Sequence, residues 1–419
     1  MRFFHRSKVK AGMLALTLFF VIQAAGCAAA DVESTPMPTP NPDSIDPFMG
    51  HAVIDAPFDS LTYSIQAFLW WNETSASEHL DWIKLMGFSH VKQIFAWEDL
   101  EPIQGEWHFE RGDWIVDAVA ERGLKLIARL SDTPDWAYDD EEVPNSVHDT
   151  PAGHLDDWAN YCGAVAERYR GRIAAYQLWN EPNLAREWGG HPPNAQAFVD
   201  LLRVCSDAIR AADPDAILIS GGLSPTGTWT EEATPDDMFF RAMYDAEFQQ
   251  YVDVVGVHAP GFSAPQLSPA EAETQGRQRW ATFRHVEDLR LIMVENGDAA
   301  RQMAVLETGY TMDQIHPEYS WFAVEDSDVQ GAYLVGAYQF AAVYWRPWVG
   351  LMSSIYIADP AWTEANEQYW WSITTPEGET RRSFIALANM AKFCGDQMIP
   401  PRDPGGAEAR GLVPATTCD

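Results

Sequence analysis

From about residue 61 onward, short apolar runs alternate with longer stretches in which apolar residues recur every three or four positions. The short runs predict strands near 63–68, 90–94, 124–130, 174–179, 216–220, 252–257, 303–306 and 351–357. The longer stretches, among them 114–122, 155–169, 195–212 and 328–344, carry the helical spacing. Strand and helix in repeated alternation is the pattern of a parallel α/β fold rather than of a sandwich. Gly87 and Gly123 each stand between a helical stretch and the next strand, where a helix C-cap belongs. Eight strands in this order favour a closed (β/α)8 TIM barrel in a single catalytic domain over an open doubly wound sheet. No Gly-rich phosphate loop follows the first strand, which disfavours nucleotide binding. The stretch 280–293, with its Arg and Glu residues, is expected to be a solvent-facing barrel helix.

The ends of the chain read differently. Residues 1–26 hold Arg2, Arg6, Lys8 and Lys10, an apolar run from 11 to 22, and small residues up to Cys27. That is the layout of a secretory signal. It resembles a bacterial lipoprotein signal, with Cys27 as the lipidated first residue of the mature chain, although Ala24 stands where such signals more often carry Leu. Ordinary signal cleavage nearby is the alternative, and the run is short of the roughly 20 residues a membrane span needs. Residues 27–54 are rich in Pro, Ser, Thr and Asp and predict an extended tether to a domain over 55–395, with 396–419 as a surface tail. The only membrane contact expected is the lipid anchor.

Charge narrows the partners. The 419-residue chain has a formal charge of −33, and residues 1–26 contribute bases and no acids, so the remainder is more acidic still. Such a surface repels nucleic acid and anionic polymers and suits a neutral substrate. Setting Cys27 aside leaves Cys162, Cys205, Cys394 and Cys418, an even number for an exported protein, with three pairings open. No metal-type Cys or His spacing occurs, so neither a metal nor another cofactor is expected. Oligomeric state is open.

The candidate chemistry lies in two glutamates. Glu181 closes the run Tyr-Gln-Leu-Trp-Asn-Glu-Pro-Asn at 176–183, and Glu307 closes Met-Ala-Val-Leu-Glu-Thr-Gly-Tyr at 303–310. An acid where a strand stops sits at the face on which barrel enzymes build active sites. Either one alone could instead begin a helix, where acids favour the positive dipole end. On the strand count they close strands four and seven, which face each other across the barrel mouth, and a pair of carboxylates suits acid/base or nucleophilic work.

These residues, together with Ala-Trp-Glu-Asp-Leu-Glu-Pro-Ile-Gln-Gly-Glu-Trp at 96–107 after strand two, resemble the retaining glycoside hydrolases of clan A, in particular relatives of families 39 and 5. The resemblance covers roughly 60–390 and implies a β-glycosidase that hydrolyses O-glycosidic bonds of oligo- or polysaccharides through a covalent glycosyl-enzyme. It implies Glu181 as general acid/base and Glu307 as nucleophile, about 5 to 5.5 Å apart. Glu181 then requires a raised pKa, which burial and a second carboxylate supply, while hydrogen bonds keep Glu307 ionised. Asn180 is placed to bind the sugar 2-hydroxyl. His258, ending strand six, is expected beside the nucleophile, as in the related enzymes. Pro260 stands where the family often has an aromatic residue, which leaves Tyr310 as the substitute partner for Glu307. Lys92 stands in the strand-two region where the clan usually has Arg, and is expected to contact the nucleophile or the substrate. Strand eight lacks the Trp that relatives often carry near its end.

Among 18 tryptophans, several fall just past strand ends, where rings can stack on the C–H faces of sugars. Trp97 and Trp136 are the first expected platforms, followed by Trp179 and Trp362. Rival readings are a transglycosylase and a carbohydrate-binding surface lipoprotein without turnover. The inserts at 135–154, 183–193 and 226–237 are placed to narrow the site.

Overall fold

In the computed structural model, which describes residues 53–71, 73–138, 151, 153–395 and 397–401, eight parallel strands close on themselves in sequence order. They are β1 (Thr62–Gln66), β2 (His90–Ala96), β3 (Lys125–Ser131), β4 (Ala175–Leu178), β5 (Ile217–Ser220), β6 (Val254–His258), β7 (Gln302–Thr308) and β8 (Val349–Ser354). β1 pairs with β8, so no edge is left open. The barrel is the expected TIM barrel. Its strands are buried on both faces, which is why each reads as an apolar run with little alternation.

Two apolar layers hold it. Inside the barrel, Ile127, Ala175, Ile219, Val254, Ala304 and Leu351 fill the lower levels. Phe58 joins this cluster, and its backbone N–H and C=O are clamped by the Gln302 side chain at 3.0 and 2.9 Å. Outside, the strands pack against helices such as Glu110–Glu121, Leu155–Arg168 and Ala195–Ala212. Asn194 caps the last of these by accepting from Ala197 N–H at 3.0 Å. A disulfide joins Cys162 to Cys205 across the latter pair of helices. Gly87 and Gly123 do follow helices, with φ of 70° and 69°.

Two expectations change, and a third is met in detail. The stretch 280–293 is a short 3-10 turn, Phe283–His285, running into the helix Val286–Glu295. It is not a solvent face: Arg290 is fully buried, and His285 is sandwiched between Asp236 (2.9 Å) and Asp288 (3.1 Å). The boundary at 395/396 falls inside a hairpin, since Lys392–Cys394 pairs antiparallel with Gln397–Ile399. The helical spacing read over 328–344 is the helix Ser327–Phe340 continued by a π-turn, Ala341–Trp345. The signal segment, Cys27, the tether before residue 53 and Cys418 lie outside the described residues.

Candidate active site

Glu181 and Glu307 reach the mouth by different local devices. After β4 the chain turns abruptly, with Trp179 at φ 70° and Glu181 at φ 34°, a region that side-chain-bearing residues rarely occupy. Neighbouring bonds hold the turn: Trp179 Nε1–H donates to Glu187 O (3.0 Å) and Glu181 N–H to Gly222 O (3.0 Å). Strain held in this way is typical of functional sites. No α-helix begins here. Pro182 leads into a loop in which Asn183 bonds Ser224 and Thr234, and then into the 3-10 turn Ala185–Glu187. Glu307 lies within β7, and the β6/β7 register shifts between Val257 and His258, where the next pairing is His258 with Glu307. Such irregularities re-aim side chains at barrel rims.

Both carboxylates and His258 line one cleft of about 1060 Å³. His258 Nδ1 is 2.9 Å from Glu181 Oε1 and 3.8 Å from Glu307 Oε2. Its Nε2 is buried and has no hydrogen-bond partner among the described residues. That assigns the proton to Nδ1, which donates to Glu181. His258 thus lies beside Glu307 as expected, and its hydrogen bond goes to Glu181, the expected acid/base. Lys92 is fully buried beneath the cleft, its Nζ donating to Glu307 Oε1 (3.0 Å) and to Leu306 O (3.1 Å). It touches the nucleophile candidate and is shut away from substrate.

The electrostatics reverse one expectation. Burial pushes the Glu181 pKa up, but the His258 hydrogen bond and the Arg186 guanidinium (Nη2 to Oε2, 2.8 Å) outweigh it and hold the carboxyl below the usual range. The expectation of a raised pKa rests on burial and a second carboxylate and takes no account of Arg186. Glu307 is also held low: burial pushes it up, and Lys92 overrides that.

The aromatic expectations divide. Trp362 lines the cleft, as does Asn180, whose Nδ2 is 3.4 Å from Glu187 Oε2. Trp97 does not. It opens the short helix Trp97–Leu100, is fully buried, stacks on Tyr161 and donates to Glu101 Oε2 at 2.8 Å. Trp136 packs edge-on against Trp97 and donates to Glu101 O (2.8 Å), away from the lining. Trp179 is fully buried under the turn, against Trp158 and Trp188. Tyr310 is fully buried too, its hydroxyl meeting no hydrogen-bond partner among the described residues, so it does not support Glu307. In each case, a position just after a strand did not specify which way the ring turns.

Apart from Trp362, the rest of this lining was missed by sequence reasoning and comes from loops, from the helix Glu367–Trp371 and, for Arg129, from β3. Phe68, Tyr356 and Trp362 form one aromatic wall, with Phe68 and Trp362 centroids 4.8 Å apart. Phe262, Phe322 and Trp371 form another, with Phe262 and Phe322 centroids 4.8 Å apart. Tyr356 and Trp362 supply aromatic rings on the strand-eight side despite the missing Trp. Arg129, Arg186, Glu187 and Glu367 add charge to the lining. Only Arg186 and Glu187 carried a cue, their closeness in sequence to Glu181. Among the described residues no group of three or more His, Cys, Asp or Glu could hold a metal ion.

Comparisons with known proteins put this closed barrel and its mouth in the class of glycoside hydrolases. The profile of the family described as Cellulase (glycosyl hydrolase family 5) matches residues 54–306, so the chain belongs to glycosyl hydrolase family 5. That span contains Glu181 and stops just short of Glu307. Endo-1,4-beta-xylanase A of Phanerodontia chrysosporium is 26% identical over 152 residues, 35% of this chain and 36% of that protein. Its namesake in Halalkalibacterium halodurans is 27% identical over 96 residues, 20% of this chain and 24% of that one. The chain thus spans well under half the length of these relatives. Among solved structures, a family 39 glycoside hydrolase of Bacteroides cellulosilyticus WH2 superposes with a TM-score of 0.58 at 20% identity, covering 80% of this chain and 64% of that one. GH5_18 of Streptomyces cattleya gives 0.57 at 17% identity, with 79% of each chain covered. At such identity these two show the fold alone.

Proposed function

We propose that this family 5 glycoside hydrolase is a retaining β-glycosidase acting on neutral oligo- or polysaccharides by double displacement. The observation that carries the proposal is the His258 ring nitrogen at 2.9 Å from Glu181 and 3.8 Å from Glu307. Two oxygens sharing one neighbour at those distances are excluded from most of the roughly 6.5–9.5 Å range of inverting pairs, and the roughly 5–5.5 Å of retaining pairs is admitted. Glu307, kept anionic by Lys92, attacks the anomeric carbon as Glu181 gives its proton to the leaving oxygen. Water then loses a proton to Glu181 as its oxygen attacks the same carbon and the Glu307 ester departs. Asn180 is the candidate ligand for the 2-hydroxyl, and the two aromatic walls suit the C–H faces of sugars.

A 2-deoxy-2-fluoro β-glycoside with an activated leaving group tests this. It should leave one fluoroglycosyl unit on the peptide containing Glu307, read by mass spectrometry. Turnover with no label on Glu307, or a product of inverted anomeric configuration, refutes the mechanism. The named xylanase relatives make β-1,4-xylan and its oligomers the first substrates to try. We further propose export as a lipoprotein anchored at Cys27. A detergent-phase fraction that becomes aqueous in Cys27→Ala supports the anchor, and unchanged partition removes it.

A further inference from the structure

Glu181 has two charged or donating partners of opposite character. His258 is buried, and Gly222 packs so tightly on its ring that a Cβ there would collide with it. Arg186 pairs with the other oxygen at 2.8 Å, yet its side chain is 60% exposed at the cleft wall. Of the two, only Arg186 has room to leave. It also has somewhere to go: its Nε is already 3.5 Å from Glu187 Oε1, and Glu367 lines the same cleft. The turn carrying it is stitched back to the Trp179–Glu181 corner through the Trp179–Glu187 and Asn180–Glu187 bonds, which hold the backbone from which the long, exposed side chain extends.

The reaction in "Proposed function" asks Glu181 to alternate between acid and base, and the inference rests on that reading. We infer that Arg186 is a mobile counter-ion for Glu181, paired with it whenever it is a carboxylate and passed to Glu187 and Glu367 whenever it carries the catalytic proton. When the proton leaves Glu181 for the glycosidic oxygen, the new carboxylate draws the guanidinium back. When Glu181 takes a proton from water, the pair dissolves again. Arg186 gains and loses no proton, and an anion is beside it at every stage. Burial keeps the Glu367 carboxyl above the usual range, so that group becomes a better anion as the guanidinium approaches.

The other charges that bear on Glu181 are fixed by packing. Glu307 on β7 is locked to Lys92 on β2, whose own balance includes Glu181. Tyr356, past β8, is kept neutral first by burial and then by the Glu307 and Glu181 charges. Arg186→Gln removes the cation that Glu181, Glu187 and Glu367 share, so its effects at Glu181 all run upward.

The test is the pH dependence of kcat/KM on an aryl β-glycoside whose leaving group needs protonation, where the basic limb reports the free enzyme's acid. Removing a cation beside a carboxyl raises its pKa by about 1 to 3 units. Arg186→Gln should move the basic limb upward by at least about one unit, while Arg186→Lys, which keeps the charge, leaves it within about half a unit. With a dinitrophenyl glycoside, whose turnover is limited by the second step, Arg186→Gln should lose rate below its new limb, because the base is then protonated. An Arg186→Gln enzyme whose limb superposes on the parent, whether its rate falls uniformly or not, overturns the inference, as does complete loss of turnover at every pH. Glu181→Ala separates the two ideas. If it erases the basic limb and accepts azide rescue while Arg186→Gln moves nothing, Glu181 keeps its role and Arg186 loses the one inferred here. If Glu181→Ala leaves the limb in place, the proposed mechanism itself falls.

Discussion

Lys92→Met is the sharpest perturbation of the nucleophile candidate. The ammonium is fully buried, 3.0 Å from Glu307 Oε1, and methionine fills a similar volume without charge. At an effective dielectric near 20, two unit charges at that distance attract by about 5 kcal/mol. At about 1.4 kcal/mol per pKa unit that is a ceiling of roughly four units. Opposite-charge neighbours in proteins shift carboxyls by about 1 to 3 units. Since His258 stays 3.8 Å from the other oxygen, the lower half of that span applies. The acid limb of kcat/KM should therefore rise by about one to two units in Lys92→Met. A dinitrophenyl β-glycoside is the right substrate, because its leaving group needs no proton and the acid limb then reports Glu307.

Stability should follow the same group with a definite sign. In the parent, the Glu307 pKa is depressed, so its contribution is present above the unfolded value and is lost as pH falls through the folded one. In Lys92→Met the folded pKa is raised, so the variant's deficit is small in acid and grows as pH climbs through the new value. Breaking a buried pair costs about 3–5 kcal/mol when the remaining charge is stranded, which bounds the plateau. An unmoved acid limb, or a deficit independent of pH, would refute the assignment of Lys92 as the group that keeps Glu307 ionised.

The same logic extends to other residues. Glu307→Ala with azide should yield a glycosyl azide of inverted configuration, and Glu181→Ala with azide a retained one, both read by NMR; swapped outcomes would exchange the two roles. His285 has its folded pKa raised to about 10, as Asp236 and Asp288 overcome the burial that would lower it. Its stabilisation is therefore full below about pH 6.5 and is lost as pH rises through about 10, at up to about 1.4 kcal/mol per unit; urea midpoints that do not fall over that window, or fall equally in His285→Asn, count against it. Cys162 and Cys205 are 43 residues apart, a loop whose closure is worth about 4 kcal/mol in the chain-entropy account, so Cys162→Ala/Cys205→Ala should melt several degrees lower.

The barrel was legible because parallel strands buried on both faces are mostly apolar, with exceptions such as Lys92 and Gln93 on β2, and eight such runs admit few arrangements. Their ends were less so. β8 stops at Ser354 while Ile355, Tyr356 and Ile357 continue the apolar run into the loop, and β7 runs on through Glu307 to Thr308 because the register shift keeps it paired. The carboxylate pair was visible because acids at the ends of apolar runs are conspicuous. Its environment was not. Trp97 and Trp362 look alike in sequence, yet one is turned inward by a four-residue helix and the other stands in a long loop over the cleft. Glu367 lies on the helix Glu367–Trp371, far along the chain from either acid and with no local pattern to mark it.

The two carboxylates are set apart by the exposure of their cations, 60% for Arg186 and 0% for Lys92, more than by their own burial, which is nearly the same at 10% and 14% side-chain exposure. A nucleophile needs a constant charge until it bonds to carbon, and Lys92 is walled in where it can do nothing else. An acid/base group needs a charge that changes twice per turnover, and a fixed cation would oppose one half of that cycle as much as it favoured the other. Arg186, exposed and flanked by further carboxylates, is the kind of partner such a group can tolerate. Exchanging the two cations in character should therefore harm both steps: a rigid cation at 186 would trap Glu181 as a base, and a mobile one at 92 would let Glu307 protonate.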